Sequence, residues 1–272
     1  MGISDISLTA GMRTNLLNLQ DTSTLLNRTQ ARLASGKQVN SALDNPTNYF
    51  AAQNANQRAN DFASRKDSMS EAVQTVSAAN AGITAITGLI QAAKGISQSA
   101  LSTSDTTVQS KLAAQYDTIR TQIDQMSSDA SYKGLNLLSS SNTLTVNFNE
   151  NASSSLNVIG FLGNSSGLSL SATSGNWQAT SSITSDAAKM DSAITSLRTS
   201  TQTLAANLNI ITTRQNFTDN MINTLQTGAD NLTLADMNQE GANMLMLQTR
   251  QSLSTTSLSM SSQAAQAVLK LF

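Results

Sequence analysis

The 272-residue chain has no cysteine and no histidine. Thiol nucleophiles, disulfides, the usual zinc ligand sets and imidazole acid–base catalysis are therefore excluded together. One proline and 4% aromatic residues argue against a large globular core. Charged residues make up 12%, against roughly 25% in ordinary soluble domains. The net charge is −1, and a near-neutral surface resists self-association poorly. No basic patch appears, so nucleic acid is not an expected partner. No apolar run is read as long enough to span a membrane, so membrane insertion is not expected. Met1-Gly2-Ile3-Ser4-Asp5 lacks the basic and apolar parts of a cleavable secretion signal, which leaves the cytoplasm or export by another route.

The 39% hydrophobic residues sit in periodic stripes. Met237, Met244, Leu258, Ala265 and Phe272 fall on one seven-residue repeat, broken once by Gln251, with Leu247 and Val268 beside it. Met12, Leu19, Leu26 and Leu33 repeat every seven residues near the start. Both ends thus read as strands of a coiled coil, each too narrow in its apolar face to bury itself alone. They either pair within one chain or pack against other copies, and the pattern leaves both open.

In chain order, the first helix is expected from about Thr9 to Leu33, stopped by Ser35-Gly36. Pro46 after Asn45 starts the second helix. That helix carries Phe62, Met69, Val76, Ile83 and Ile90 on one line and Ala72, Ala79, Ile86, Ala93 and Ala100 on another. Gly82, Gly88 and Gly95 each weaken it by up to about 1 kcal/mol relative to Ala. A third helix is capped near Ser104-Asp105 and ends near Ala130. Residues 139–185 are rich in Ser, Asn, Thr and Gly. Alternation of Leu144, Val146 and Phe148, of Leu156 with Val158, and of Leu168 with Leu170 predicts short half-buried strands. Trp177 is expected to anchor that segment's core. A fourth helix follows a Thr184-Ser185 cap, with Met190, Leu197, Leu204, Ile211 and Leu225 on its seven-residue line and a break near Gly228. The fold class is mainly α: a long antiparallel helical coiled-coil bundle with a small β-rich insertion.

No catalytic, cofactor or metal constellation emerges. Asp236 and Glu240 lie four apart on one helical face, without the His, Cys or phosphate loop that would make them chemistry. A solvated or inter-helix salt-bridging face is expected instead. The many Ser, Thr, Asn and Gln residues suit either a wet interface or a plain solvated surface.

Arg32-Leu33-Ala34-Ser35-Gly36 and Val39-Asn40-Ser41-Ala42-Leu43-Asp44-Asn45 resemble the bacterial flagellin segment after its first helix. Tyr132-Lys133-Gly134-Leu135-Asn136-Leu137-Leu138, Arg214-Gln215-Asn216-Phe217 and Asn231-Leu232 through Ala235-Asp236 and Glu240 resemble further flagellin segments. Asp44-Asn45-Pro46 departs from the pattern, which usually has two acidic residues and no proline there. The short insertion resembles compact α-proteobacterial flagellins. The resemblance implies a homo-polymer of many copies, exported unfolded by the flagellar type III apparatus with a chaperone, and meeting hook-associated junction and cap proteins. It implies an inner tube from 1–45 and 231–272, a helical rod from 46–138 and 186–230, and an outer 139–185. A hook–filament junction protein or a helical signalling module would share much of this pattern. Exposed Ser and Thr in 139–185 are candidates for O-linked sugars. In the stretch that strongly detected flagellins offer to the vertebrate toll-like flagellin receptor, from Leu89 to Gln98, Gln91 stands for an Arg, Lys94 for a Glu and Gly95 for a Leu. Poor detection is expected.

Overall fold

The computed structural model describes residues 10–139 and 142–269, with 268 and 269 by backbone alone. Phe272 and the side chain of Val268 lie outside the described residues. The elements are α1 (Ala10–Ser35), α2 (Pro46–Leu101), α3 (Thr106–Asp129), β1 (Ser131–Tyr132), β2 (Leu135–Asn136), β3 (Thr143–Asn147), β4 (Ser155–Ile159), a short 3-10 turn (Ser174–Trp177), α4 (Thr180–Thr233) and α5 (Met237–Leu269). The chain divides into two compact units. One comprises the residues up to Gln57 and from Thr224 onward; the other is Arg58–Asn223. The division falls inside α2 and α4 rather than at their ends, because both helices run unbroken through it.

In the Arg58–Asn223 unit the two lines of α2 are the core. Met69, Ala72, Val76, Ile83, Ile86 and Ile90 are all buried, together with Met190, Leu197, Leu204 and Ile211 of α4. The helices run antiparallel, as ion pairs Lys66–Asp219 and Lys94–Asp191 show. Helix α2 does contain an 18-residue stretch long and apolar enough to cross a bilayer, contrary to the sequence expectation. Its apolar side chains are packed inside the unit, which accounts for the composition without lipid. Asp105 caps α3, its carboxylate accepting from the Thr107 and Val108 backbone N–H groups.

The Tyr132–Leu138 segment is a hairpin. Lys133 and Gly134 both take positive φ, the twist a two-residue turn needs. Asn136 then donates to the Ser127 and Ser128 carbonyls at the end of α3 and accepts from Leu138 N–H, all within 2.7–2.9 Å. Leu137 and Leu138 enter the core. Gly82 answers them from α2: a Cβ there would lie 2.6 Å from Ala130 Cβ and 2.7 Å from Leu138 Cδ1. Its helix-weakening cost is therefore exchanged for close approach.

Strands β3 and β4 pair antiparallel, Leu144 opposite Val158 and Val146 opposite Leu156. Leu168 and Leu170 do not form a strand. They are buried by successive turns in which Leu168 N–H donates to Asn164 O and Leu170 N–H to Ser165 O. Two carboxylates of α3 hold this loop, Asp124 accepting from Ser165 N–H and Oγ and Asp117 from Thr173 N–H and Oγ1. Trp177 is fully buried, tilted 5.1 Å from Tyr116, and donates Nε1–H to Asp186 at 2.8 Å. It anchors the loop to α3 and α4. Helix α4 starts at Thr180, five residues before the expected Ser185 cap, and Thr184 bonds back to Thr180 O as an interior residue. No break occurs at Gly228; α4 ends at Thr233.

Candidate functional site

The site lies in the unit built from the two ends of the chain. Helices α1 and α5 pair antiparallel, with Arg32 beside Glu240 and Asn15 Nδ2 donating to Ser257 Oγ at 3.4 Å. The connection at one end of this pair is ordered by backbone bonds. Gly36 at φ 69° takes the left-handed conformation that ends α1. Gln38 N–H and Val39 N–H then donate to Thr233 O, and Ala235 N–H donates to Gly36 O. Ser35 Oγ accepts from Lys37 N–H. Asp44 Oδ2 accepts from the backbone N–H groups of Ser41 and Asn40 and from Ser41 Oγ, and the two backbone bonds hold its carboxyl below the ordinary 3.8. Asn45 Oδ1 accepts from Asn48 N–H and so caps α2, with Pro46 as the first helical residue, where its missing N–H costs nothing.

Asp236 caps α5, accepting from Asn238 N–H at 2.9 Å and Gln239 N–H at 3.2 Å. Glu240, one turn on, is buried and pairs with Arg32 Nη1 at 3.0 Å. The two acids thus have separate structural jobs, a cap and an inter-helix bridge.

The inner seam brings together most of the expected residues. Met12 and Leu247 are buried; Leu19, Leu26, Leu33, Met244, Leu258 and Ala265 are half-buried. Met237 is not part of it. It is 48% exposed, because it occupies the first position of α5, directly after the cap. Two residues missed by an apolar search, Thr22 and Thr29, are more deeply buried than the leucines between them. Thr22 Oγ1 donates to Asn18 O at 2.7 Å, which satisfies the hydroxyl within the helix and frees its methyl for the seam. Their seven-residue spacing was the available signal.

A second apolar line was also missed. Met246, Leu253 and Met260 are seven apart on α5, and they are 53%, 66% and 66% exposed. At about 100° per residue they lie roughly 100–160° around α5 from Glu240 and Leu247, off the face that α1 covers. Leu245, 67% exposed, joins them off that face. Helix α5 is therefore apolar on two faces, and α1 covers only one.

Elsewhere, Arg214 lies over the Phe148 ring at 5.1 Å and Gln215 Nε2 donates to Ser70 Oγ, while Phe217 is exposed. In the Leu89–Gln98 stretch, Gln91 and Gly95 are exposed, Leu89 is half-buried, and Lys94 pairs with Asp191 of α4. Among the described residues, no group of three acidic side chains could hold a metal ion.

The unit is thus an antiparallel helix pair with one covered and one exposed apolar line, and an exposed line of this kind marks an interaction surface. The family model for the bacterial flagellin N-terminal helical region matches residues 6–143. Two flagellins of Caulobacter vibrioides, FljK and FljN, are each 30% identical to the chain, over 281 and 280 residues, with all of both chains covered. FljO of the same organism is 29% identical over 278 residues, again with full coverage. A Bacillus cereus flagellin crystal structure aligns with 56% of this chain and 88% of its own at 14% identity, with a TM-score of 0.48. The chain belongs to the bacterial flagellin family. It is a structural subunit of the flagellar filament, an extracellular helical polymer that serves motility.

Proposed function

We propose that the α1–α5 pair is the assembly element, and that its bare line of Met246, Leu253 and Met260 is the contact with a neighbouring copy. The observation that carries this is the exposure of three large apolar side chains at coiled-coil spacing on a helix whose other face is already occupied. A second copy is the fitting occupant, since the chain belongs to a polymerising family and presents this line beside its own self-paired seam. In this reading residues 1–45 and 231–272 form the inner tube, 46–138 and 186–230 the surrounding rod, and 139–185 the outer surface. The subunit leaves the cell unfolded, through the flagellar export apparatus with a chaperone, and it meets junction and cap proteins at the filament ends. The lack of cysteine supports threading, because no crosslink can form on the way.

The test is Leu253→Asp. Leu253 is largely exposed, so the monomer should keep its circular dichroism spectrum. Placing a carboxylate in a buried contact while losing a leucine's burial should cost at least about 4 kcal/mol per contact, or roughly a thousandfold in the concentration needed to polymerise. Sedimentable filaments from the variant at wild-type concentration would overturn the proposal.

A further inference from the structure

Two of the three residues on the bare line are methionines, and this has a chemical consequence. Met246 is 53% exposed and Met260 66% exposed, so both side chains are open to solutes before any partner covers them. Met69 and Met190, in the core of the other unit, are fully buried. Methionine suits a helix contact because its unbranched chain adapts to the facing surface. It is also the apolar side chain that a peroxide makes polar.

We infer that Met246 and Met260 are oxidation sites that control assembly: sulfoxide formation at these two residues keeps the free subunit from polymerising. The co-reactant is a hydroperoxide. Its O–O bond breaks, one oxygen forms the S=O bond, and the other leaves as water or alcohol with the proton. The sulfur loses two electrons and the peroxide gains them. The product carries a strongly accepting oxygen and no donor. On the bare line that oxygen makes an apolar side chain strongly polar, and the water it holds must be given up for the contact to form, which opposes association. The same geometry makes the effect depend on state. A subunit already in the polymer has the sulfurs covered, so oxidation acts on subunits awaiting assembly and spares finished filament. A sulfoxide reductase drawing two electrons from a dithiol reverses the step, the thiols becoming a disulfide and the oxygen leaving as water, so the block can be lifted.

The inference rests on the reading of the bare line as the subunit contact, and the experiment separates the two. Purified monomer is treated with hydrogen peroxide, peptide masses locate the sulfoxides, and the critical concentration for polymerisation is measured by sedimentation. Wild type carrying both sulfoxides should show a critical concentration raised roughly tenfold or more. The Met246→Leu/Met260→Leu variant, treated identically, should polymerise as it did before treatment. Unimpaired polymerisation of doubly oxidised wild type would overturn the inference, and so would equal sensitivity of the leucine variant. If Leu253→Asp blocks assembly while oxidation does not, only the oxidation inference fails; if untreated Leu253→Asp polymerises normally, the contact reading fails with it. Should the leucine variant not polymerise, preformed wild-type filaments decide. Met246 and Met260 must then oxidise at least tenfold more slowly in filament than in monomer, and equal rates would overturn the inference.

Discussion

Replacing Arg32 by Met should loosen the α1–α5 pair more than replacing Arg32 and Glu240 together. The Glu240 side chain is only 8% exposed and Arg32 19%, with Nη1 3.0 Å from Oε1. The pair is not fully satisfied, since the buried Arg32 Nε has no hydrogen-bond partner. Removing one member of a buried pair commonly costs about 3–5 kcal/mol, because the other is left charged and unpaired. Water can still reach this one past the partly exposed arginine position, so about 2 kcal/mol is the fitting magnitude. That is a roughly thirtyfold rise in the open population of the helix pair. In Arg32→Met/Glu240→Leu no charge is stranded and apolar chains extend the seam, so stability should return to within about 1 kcal/mol of wild type. Amide exchange on the monomer reads this directly. Peptides of α1 and α5 should exchange roughly thirtyfold faster in the single variant and near the wild-type rate in the double, with α3 unchanged in both. Equal exchange in the single and double variants would refute the reasoning.

Deleting residues after Ser254 removes Leu258, Met260 and Ala265; the truncated chain should remain helical and form no filaments in a sedimentation assay. Burial, aided by the Asp186 and Asp117 carboxylates, pushes Tyr116 from 10.0 up to about 12. The unfolded chain therefore releases this proton first, and the associated stability, complete below pH 10, is lost as the pH rises to about 12. Denaturant titrations across that window should give a shallower pH slope for Tyr116→Phe; an identical slope would contradict the assignment. The resemblance sets Gln91, Lys94 and Gly95 where strongly detected flagellins carry the Arg, Glu and Leu that dock the receptor, so a reporter-cell assay should show activation well below that of a strongly detected flagellin.

Much of the fold was legible because its signals are local and repeated. Pro46 and Asp105 fixed two helix starts, since their chemistry acts on the first turn alone. The heptads of α2 and α4 predicted their burial, because each line meets a partner along its whole length. Leu168 and Leu170 misled, because alternate burial also arises from consecutive turns, and only the distant carboxylates Asp117 and Asp124 distinguish the two. The early start of α4 was hidden for a related reason: Thr184 has the chemistry of a cap, but its hydroxyl bonds back into an existing turn. Gly228 misled in the other direction, since one glycine costs about 1 kcal/mol and a long packed helix absorbs it.

The site was half legible. The inner seam follows from apolar spacing, apart from Met237, whose place beside the cap turns it outward. Thr22 and Thr29 escaped notice because a hydroxyl that bonds its own helix packs like an apolar side chain. Met246, Leu253 and Met260 escaped because the stronger repeat beside them already accounted for a coiled coil. A helix with two apolar lines needs two partners, and the sequence does not say which line the chain itself will cover.

Cryo-microscopy of filaments grown from the purified protein tests the central claim most directly. Met246, Leu253 and Met260 should be buried against a helix of a neighbouring copy, with Leu247 and Thr22 still facing each other's helices within one subunit. A filament in which those three side chains face solvent would contradict it.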